Sequence, residues 1–467
     1  MFHSITVNGP GYRIGGNGIV LGAGGLILHN FFLVSLIHAD LKFSSITLGE
    51  SQTWSGPGGE FTHLGSMNIN GKTLTITNFV RPEFDSISGT GAIIENNPNG
   101  LFSSASSTYL GTVTVDSGLF QISGTAGEVQ VTGHGFGGDD QTNGTNATLG
   151  LAGANIASVR VYGSGALTLH SYPGTSYAGS LVFAPAAGDP AWFVIADGQT
   201  LPVACNVAGN VALGNALLVV GPSQFSAFTL IHSQGAGPVG GTFLGLPEGA
   251  IFGNGMWARI SYAGGAGNDV TVTPVSTAVT GTTATITSSA NPSPPGQIVT
   301  FTAAVTSASG TPAGEVRFYD GGLPLGSSAL SASGRAALAT SFAAGSHQVT
   351  AAYLGSDTVA TSRANVRQAA CDPPILTQQP ASQTIASGQR VTLTVQTSAT
   401  PPFSFQWYQG LSGDTSTPIF GAISQTFTPP ALTRSTSFWV RLTSACGNGQ
   451  SATATITVQT RRRTASH

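Results

Sequence analysis

The sequence of 467 residues contains few charged side chains. Only 7% of its residues are Asp, Glu, Lys or Arg, against about 25% in an average soluble domain. The formal net charge is -3, and the basic cluster Arg461-Arg462-Arg463 stands alone near the end. Proteins that bind nucleic acid need a basic face for the phosphates. We therefore expect no nucleic-acid partner and interpret residues 461–467 as a solvated basic tail.

Cysteine is scarce as well. The three cysteines are Cys205, Cys371 and Cys446, and no two of them have the short spacing that a structural zinc site requires. Glycine-rich strings such as residues 15–18 are not followed by a helical pattern, which a phosphate-binding loop would need. The sequence therefore predicts no cofactor.

Long apolar runs are missing too. Residues 19–41 are the most apolar early stretch, but glycines, histidines and an asparagine interrupt them, and a membrane-spanning helix needs about 20 consecutive apolar residues. The opening residues also lack the basic and apolar regions of a signal peptide. We expect no membrane span, and because the strand pattern begins part-way through a repeat, a start further upstream is favoured over another export route.

Glycine, with 64 residues, and short alternating segments dominate what is present. Up to about residue 275, apolar residues recur two apart, as in Thr73-Leu74-Thr75-Ile76-Thr77 and Thr112-Val113-Thr114-Val115. Such alternation predicts strands with one apolar face. Many short strands joined by glycine-rich corners are typical of antiparallel sandwiches or of a solenoid of stacked coils. The irregular repetition and low charge favour the solenoid.

Residues 87–124 resemble the autotransporter-associated β-strand repeat of bacterial passenger domains. The likeness lies in Ser107-Thr108-Tyr109-Leu110-Gly111, the following Thr-Val-Thr-Val strand and Gly118-Leu119-Phe120. Residues 48–76 are similar to the segment that precedes such repeats, and residues 241–272 to the strands that close them. Residues 95–100 replace the usual corner of the repeat, which is a departure from its pattern. The resemblance implies a glycine-rich parallel β-solenoid, or β-helix, over residues 1–275.

Residues 277–368 resemble the bacterial immunoglobulin-like (Ig-like) repeat of surface and secreted proteins. The likeness rests on Gly314-Glu315-Val316-Arg317-Phe318-Tyr319-Asp320-Gly321 and Gly345-Ser346-His347-Gln348-Val349-Thr350-Ala351-Ala352-Tyr353. About seven alternating runs separated by turn residues agree with a β-sandwich. Phe318 and Tyr353 are predicted core residues, because they lie two apart from other apolar residues on their strands.

Residues 371–460 resemble a second Ig-like domain. The strand that contains Trp407 is similar to the Ig strand whose indole fills the space between the sheets, so Trp407 is a predicted core residue. Leu393 and its neighbours occupy the strand that carries one of the usual inter-sheet cysteines. Cys371 and Cys446 instead suit a disulfide from the entry of the domain to its penultimate strand, which implies an oxidising compartment. Cys205 would then be unpaired and buried.

Few residues are candidates for chemistry. The candidate carboxylate pairs of a polysaccharide-degrading solenoid are Glu83 with Asp85, which lie two apart and could point the same way, and Asp139 with Asp140. A solvated corner is the alternative for such a pair. Asp139 and Asp140 lie in an oxygen-rich loop, residues 137–146, that could bind calcium or be an exposed loop. No catalytic residue is assigned.

The sequence thus predicts an all-β chain: a parallel β-solenoid followed by two Ig-like β-sandwiches. The predicted function is that of an extracellular or cell-surface structural or adhesion protein, whose sandwiches act as spacers or bind glycans or surface proteins. The alternative is a carbohydrate-active enzyme, a polysaccharide lyase or glycoside hydrolase, with accessory Ig-like domains.

Overall fold

The structure is a computed structural model and describes residues 2–7, 13–16, 19–28, 40–43, 45–55, 62–77, 82–132, 147–169, 176–195, 203–220, 227–253, 256–398, 403–444 and 446–459. These residues form strands and no helix. Two compact units can be distinguished. The first contains residues 1–287, 301–338 and 348–366, and the second contains residues 288–300, 339–347 and 367–467.

Twenty-three strands, counted over the described residues up to Pro274, belong to one hydrogen-bonded sheet. They are β1 (Phe2–Val7), β2 (Arg13–Gly16), β3 (Ile19–Leu28), β4 (Asp40–Phe43), β5 (Ile46–Leu48), β6 (Gln52–Ser55), β7 (Thr62–Asn68), β8 (Lys72–Thr77), β9 (Pro82–Gly89), β10 (Gly91–Tyr109), β11 (Thr112–Val131), β12 (Thr148–Tyr162), β13 (Ala166–Leu169), β14 (Ser176–Ala178), β15 (Leu181–Ala184), β16 (Trp192–Ile195), β17 (Val203–Val207), β18 (Val211–Ala212), β19 (Leu217–Val220), β20 (Phe228–Ser233), β21 (Ile251–Gly253), β22 (Trp257–Gly264) and β23 (Asp269–Pro274).

Sixteen more strands follow. They are β24 (Thr282–Ser288), β25 (Val299–Ser307), β26 (Glu315–Asp320), β27 (Leu323–Ala329), β28 (Arg335–Thr340), β29 (Gly345–Tyr353), β30 (Ser362–Ala370), β31 (Leu376–Gln378), β32 (Gln383–Ala386), β33 (Leu393–Thr394), β34 (Gln396–Thr397), β35 (Phe403–Gln409), β36 (Thr426–Phe427), β37 (Thr436–Ser444), β38 (Gly447–Gln450) and β39 (Ala454–Gln459).

From β1 to β20 the strands pair in parallel with strands one chain turn later, and we call this arrangement the parallel stack. One ladder aligns Leu74 with Ile93 and Ile93 with Val113. Another aligns Leu167 with Phe193 and Phe193 with Leu218. Equivalent residues of successive turns therefore lie one strand spacing apart, about 4.8 Å, and the inward aliphatic and aromatic side chains form a continuous buried core.

Serine side chains on successive turns are linked by hydrogen bonds across the stack. Ser86 Oγ donates to Ser66 Oγ at 3.0 Å, and Ser88 and Ser107 donate to the carbonyl oxygens of Met67 and Ile87 at 3.2 and 3.3 Å. In the alternating pattern seen in the sequence, the apolar residues thus form the core and the serine hydroxyls form hydrogen bonds between strands.

The Tyr-x-Gly part of the repeat-like segment has a physical role at a turn of the chain. Tyr109 is buried, and its hydroxyl lies 2.9 Å from the Gly91 carbonyl oxygen and 3.0 Å from that of Thr112. A Cβ atom at position 111 would overlap both this hydroxyl and the Gly91 carbonyl oxygen. Tyr109 therefore connects two successive turns only because position 111 is glycine.

The predicted departure from the repeat at residues 95–100 lies within β10, a long strand in the structure. The pairing of β10 with β11 shifts register between Glu95 and Asn96 and again between Asn96 and Leu101. Such shifts are typical of β-bulges, which interrupt the pairing without ending the strand. The segment that the sequence suggested as a corner therefore lies inside one strand.

The parallel stack ends in antiparallel strands. β20 pairs antiparallel with β23, and β22 pairs antiparallel with both β21 and β23. These strands cover the last parallel turn, whose unpaired backbone groups would otherwise form an open edge.

Two sheets follow, one of β24, β25 and β28 and one of β27, β26, β29 and β30. In the second sheet, Phe318 and Tyr353 are buried as predicted, with 0% and 1% of their surface exposed. β29 is also buried on its other side, since Thr350 and Ala352 are as inaccessible as Val349 and Ala351. The two-residue spacing of Val349, Ala351 and Tyr353 does not indicate this burial of the second side.

The other side of this sheet packs against the end of the parallel stack within the first unit. Tyr319 and Ala352 form one buried apolar cluster with Leu217 and Leu244, and Trp192 packs against it. The buried Asp320 side chain accepts a hydrogen bond from the Gly188 amide at 2.8 Å, and Asn215 donates to the Gly322 carbonyl oxygen at 3.1 Å. We call this contact the junction.

Replacing Asp320 by Ala should weaken the junction. The Gly188 N–H would lose its acceptor while buried, which costs about 1–3 kcal/mol. We expect a lower free energy of unfolding for the full chain in urea and faster hydrogen exchange at the Gly188 amide. Asp320→Asn keeps an acceptor oxygen and serves as the control with the smaller effect. Unchanged exchange at Gly188 in Asp320→Ala would contradict the assignment.

The second unit contains a sheet of β32, β39, β37 and β35, with β38 paired to β37, and the two-stranded pairs β31–β34 and β33–β36. Trp407 is completely buried, as predicted, among Leu393, Val440 and Leu442. Its indole N–H donates to the Ser424 carbonyl oxygen at 2.9 Å. The indole thus fills the core and satisfies its polar atom at the same time.

Cys371 and Cys446, the pair that the sequence suggested, form a disulfide across 75 residues. Closing a loop of that length restricts the unfolded chain and stabilises the fold by about 4 kcal/mol in the chain-entropy model. Disulfides persist in oxidising compartments, so this bond agrees with an extracellular location.

Cys205 is the free cysteine of the chain and is buried in the core of the parallel stack. Burial raises the pKa of its thiol to about 12. The reactive thiolate is therefore almost absent at pH 8. We expect iodoacetamide to leave the native chain unmodified at pH 8 and to add one carbamidomethyl group after denaturation without reductant. Rapid modification of the native chain, measured by mass spectrometry, would contradict this packing.

Candidate functional site

The paired carboxylates predicted on the first domain lie on β9. Phe84 between them is buried, whereas Glu83 is half-buried and Asp85 is exposed, so both carboxylates are on the outer side. The residues aligned with Glu83 on the neighbouring strands are His63 on β7 and Ser103 on β10. Over the part of the chain that the structure describes, no three residues of the types His, Cys, Asp and Glu come together. The pair therefore has the spacing expected from the sequence, and among the described residues it belongs to no group that could hold a metal ion.

The predicted calcium candidates Asp139 and Asp140 lie in residues 133–146, outside the described residues. The basic tail of residues 461–467 lies outside them as well. Calcium binding by the loop stays a prediction.

A His–Asp pair that sequence reasoning missed joins β20 to β23. His232 Nδ1 lies 3.0 Å from both carboxylate oxygens of Asp269, and the Ser233 amide donates to the same carboxylate at 3.0 Å. Asp269 is buried, while 42% of the His232 side chain is exposed. The contact links β20 to β23 at the antiparallel end of the stack.

A cleft of about 640 Å³ opens in the first unit beside the junction. Its walls come from five places in the sequence: β19, residues 244–246, β21 with the start of β22, the start of β24 and the start of β30. The lining residues are Leu218, Val219, Val220, Leu244, Gly245, Leu246, Phe252, Gly253, Trp257, Gly281, Thr282, Thr283, Ala284, Thr361, Ser362 and Arg363. Small-molecule sites have volumes of about 300–1,000 Å³, so the cleft has the size of a ligand site.

Arg363 supplies the charge of the cleft. Its Nη2 donates to the Leu218 carbonyl oxygen at 3.2 Å, across 145 residues of sequence. The side chain remains exposed, and partial desolvation by the surrounding protein lowers its pKa from the usual value, although an arginine remains protonated at physiological pH. Among the described residues that line the cleft, Arg363 is the one cation and there is no Asp or Glu. This part of the lining therefore carries a positive charge.

Aromatic and hydroxyl side chains complete the lining. Trp257 and Phe252 are both partly exposed. Thr282 Oγ1 lies 3.0 Å from the Ala360 carbonyl oxygen and 2.8 Å from Ser362 Oγ. The cleft thus combines flat apolar surfaces, a hydroxyl network and one cation, a combination suited to binding a polar organic molecule.

Two family models match segments in the second half of the chain. A family model described as Bacterial Ig-like domain (group 3) matches residues 286–370. The predicted likeness to bacterial Ig-like domains is confirmed there. A second model, described as a domain of unknown function, matches residues 377–460. No curated protein matches the chain.

Several solved structures also resemble part of the chain. A chimeric titin Z1Z2-Z1Z2 tandem is 19% identical, covering 38% of this chain and 100% of its own, with a TM-score of 0.19. The fibronectin(III)-like modules of Clostridium thermocellum CbhA are 18% identical, covering 39% and 98%, with a TM-score of 0.23. The N-terminal Ig1-2 module of the Drosophila Receptor Protein Tyrosine Phosphatase DLAR is 12% identical, covering 38% and 99%, with a TM-score of 0.17. The Ig-like assignment rests on the family match.

The described residues offer no helix with the length and apolarity to cross a membrane.

Proposed function

We propose that this chain is an extracellular structural or adhesion protein. In this proposal the parallel stack is a β-solenoid of the kind found in autotransporter passengers, and the Ig-like sandwiches act as spacers or bind partners. Support comes from the turn-by-turn parallel ladders, from the bacterial Ig-like match and from the disulfide.

The observation that carries the proposal is the junction. The cluster of Leu217, Leu244, Tyr319 and Ala352 is buried between the stack and an Ig-like sheet. The hydrogen bond from the Gly188 amide to Asp320 links the same two parts. A contact that is both apolar and hydrogen-bonded resists relative motion better than a flexible linker does. Such a connection suits a protein that transmits force between an anchored part and a binding part.

The alternative is an enzyme that degrades polysaccharides. It is favoured by the position of Glu83 and Asp85 on one outer side of β9. Glycosidases place two carboxylates on either side of the scissile bond, and this pair lies two residues apart on one strand.

One experiment addresses both functions. The full chain is applied to glycan and matrix-protein arrays, and the same preparation is incubated with a panel of polysaccharides. We expect binding without release of reducing ends or unsaturated products, and labelling of intact producing cells by an antibody to the chain. Depolymerisation that is lost in Glu83→Gln and in Asp85→Asn would overturn the proposal in favour of the enzyme.

A further inference from the structure

The cleft beside the junction has a flat aromatic wall. The Trp257 ring packs over the backbone at Gly281, where an added Cβ would lie 3.1 and 3.2 Å from the ring carbons Cζ2 and Cη2. These distances are shorter than ordinary contacts, so a larger residue at position 281 would displace the indole. Glycine at this position therefore lets the indole lie close to the start of β24. Indole rings of this kind bind the apolar C–H faces of sugar rings through dispersion and electrostatic attraction.

Arg363 is held in place at the cleft and has donors to spare. A guanidinium has five N–H donors, and among the described residues a single hydrogen bond is found for this one, to the Leu218 carbonyl oxygen. That bond orients the group without neutralising it. A planar guanidinium with a fixed orientation pairs with a carboxylate through two parallel hydrogen bonds.

The hydroxyl groups of the cleft match the remaining chemistry of a saccharide. Thr282 and Ser362 are linked to each other at 2.8 Å, and Thr283 and Thr361 also line the cleft. Hydroxyls donate and accept hydrogen bonds, as the hydroxyls of a sugar do. The lining therefore offers a surface for a sugar ring, neutral groups for its hydroxyls and a cation for an acid substituent.

We propose that this cleft binds an acidic saccharide, with a hexuronate carboxylate on Arg363 and the sugar ring against Trp257. The inference rests on the proposed extracellular role, because that role exposes the chain to such glycans. It goes further in naming the acidic class of glycan and the residues that recognise it. A peptide with a free carboxylate would use Arg363 but would leave the hydroxyl network and the aromatic wall less well matched.

The test uses the full chain and trigalacturonate, with calorimetric titration at low salt. Arg363→Gln should weaken binding about tenfold or more, because a hydrogen-bonded charge pair is lost. Trp257→Ala should also weaken binding about tenfold. The methyl ester of trigalacturonate should bind the unaltered chain as weakly as trigalacturonate binds Arg363→Gln. Arg335→Gln, which changes an exposed arginine on β28 in the same way, is the matched control and should bind as the unaltered chain does.

Three results would overturn the inference: no binding of trigalacturonate, equal binding by Arg363→Gln, or tighter binding of a carboxylate-ended peptide than of trigalacturonate. Thermal unfolding of each variant separates loss of the site from loss of the fold. The proposed function would be overturned by a different result, namely polysaccharide turnover that depends on Glu83 and Asp85. If the chain cleaves polysaccharide and still binds trigalacturonate through Arg363, the inference about the cleft holds. Only the proposed adhesive function is then overturned.

Discussion

Gly209→Ala should lower the free energy of unfolding of the first unit by about 2–3 kcal/mol, the upper part of the range for overpacking a tight site. A Cβ at position 209 would lie 2.5 Å from the carbonyl oxygen of Gly179, one turn earlier in the stack. A Cβ at Gly235, one turn later, would lie 2.6 Å from the Gly209 carbonyl oxygen. Both obstacles are backbone atoms, which cannot rotate away as a side chain can. The methyl group would therefore push neighbouring turns apart.

Gly237 provides a matched control two residues beyond this column of glycines. A Cβ at position 237 would meet nothing within 4 Å, so Gly237→Ala should change the free energy of unfolding by no more than about 0.5 kcal/mol. Urea titration of both variants, followed by circular dichroism, makes the comparison. Equal stabilities of the two variants would show that the turns are not stacked as closely as described.

Trp407→Ala should have the largest effect in the second unit, about 3–5 kcal/mol. The substitution empties the centre of the core formed with Leu393, Val440 and Leu442. It also removes the hydrogen bond to the Ser424 carbonyl oxygen and the packing of the indole against Phe427, whose ring centroid is 5.5 Å away.

Hydrogen exchange of β37 and β39 in the full chain reports on this unit directly. We expect their amides to lose protection in Trp407→Ala. Phe420→Ala removes another large aromatic, but Phe420 is fully exposed, and protection should stay as in the unaltered chain. Similar loss of protection in both variants would be inconsistent with Trp407 as the core residue.

Much of the fold follows from local pattern. The two-residue period places Leu74, Ile76, Val113 and Val115 in the core, and all four are completely buried. Trp407 could be assigned because its strand resembles the Ig strand whose indole fills the space between the sheets. The disulfide could be suggested because two of three cysteines flank one predicted domain.

The junction and the cleft could not be predicted in the same way. Tyr319 and Ala352 look like ordinary outward residues of a sandwich, because alternation assigns a side chain to one of two sides and does not say what covers that side. In the cleft, Arg363 contacts Leu218, which lies 145 residues earlier in the sequence. Residue spacing does not predict contacts over such a sequence separation. The available signal was the three consecutive apolar residues Ala351-Ala352-Tyr353, since strands covered on both sides lose their alternation.

Burial on both sides of the sheet that contains β26 and β29 has a practical consequence for work with isolated fragments. A recombinant piece cut at the ends of the family match, residues 286–370, would uncover Tyr319 and Ala352 along with the Asp320 carboxylate. Its uncovered sheet would present a half-apolar surface to solvent, and we expect the piece to self-associate more readily than the longer chain does. Excised domains of this kind are thus poor substitutes for the parent chain in binding assays.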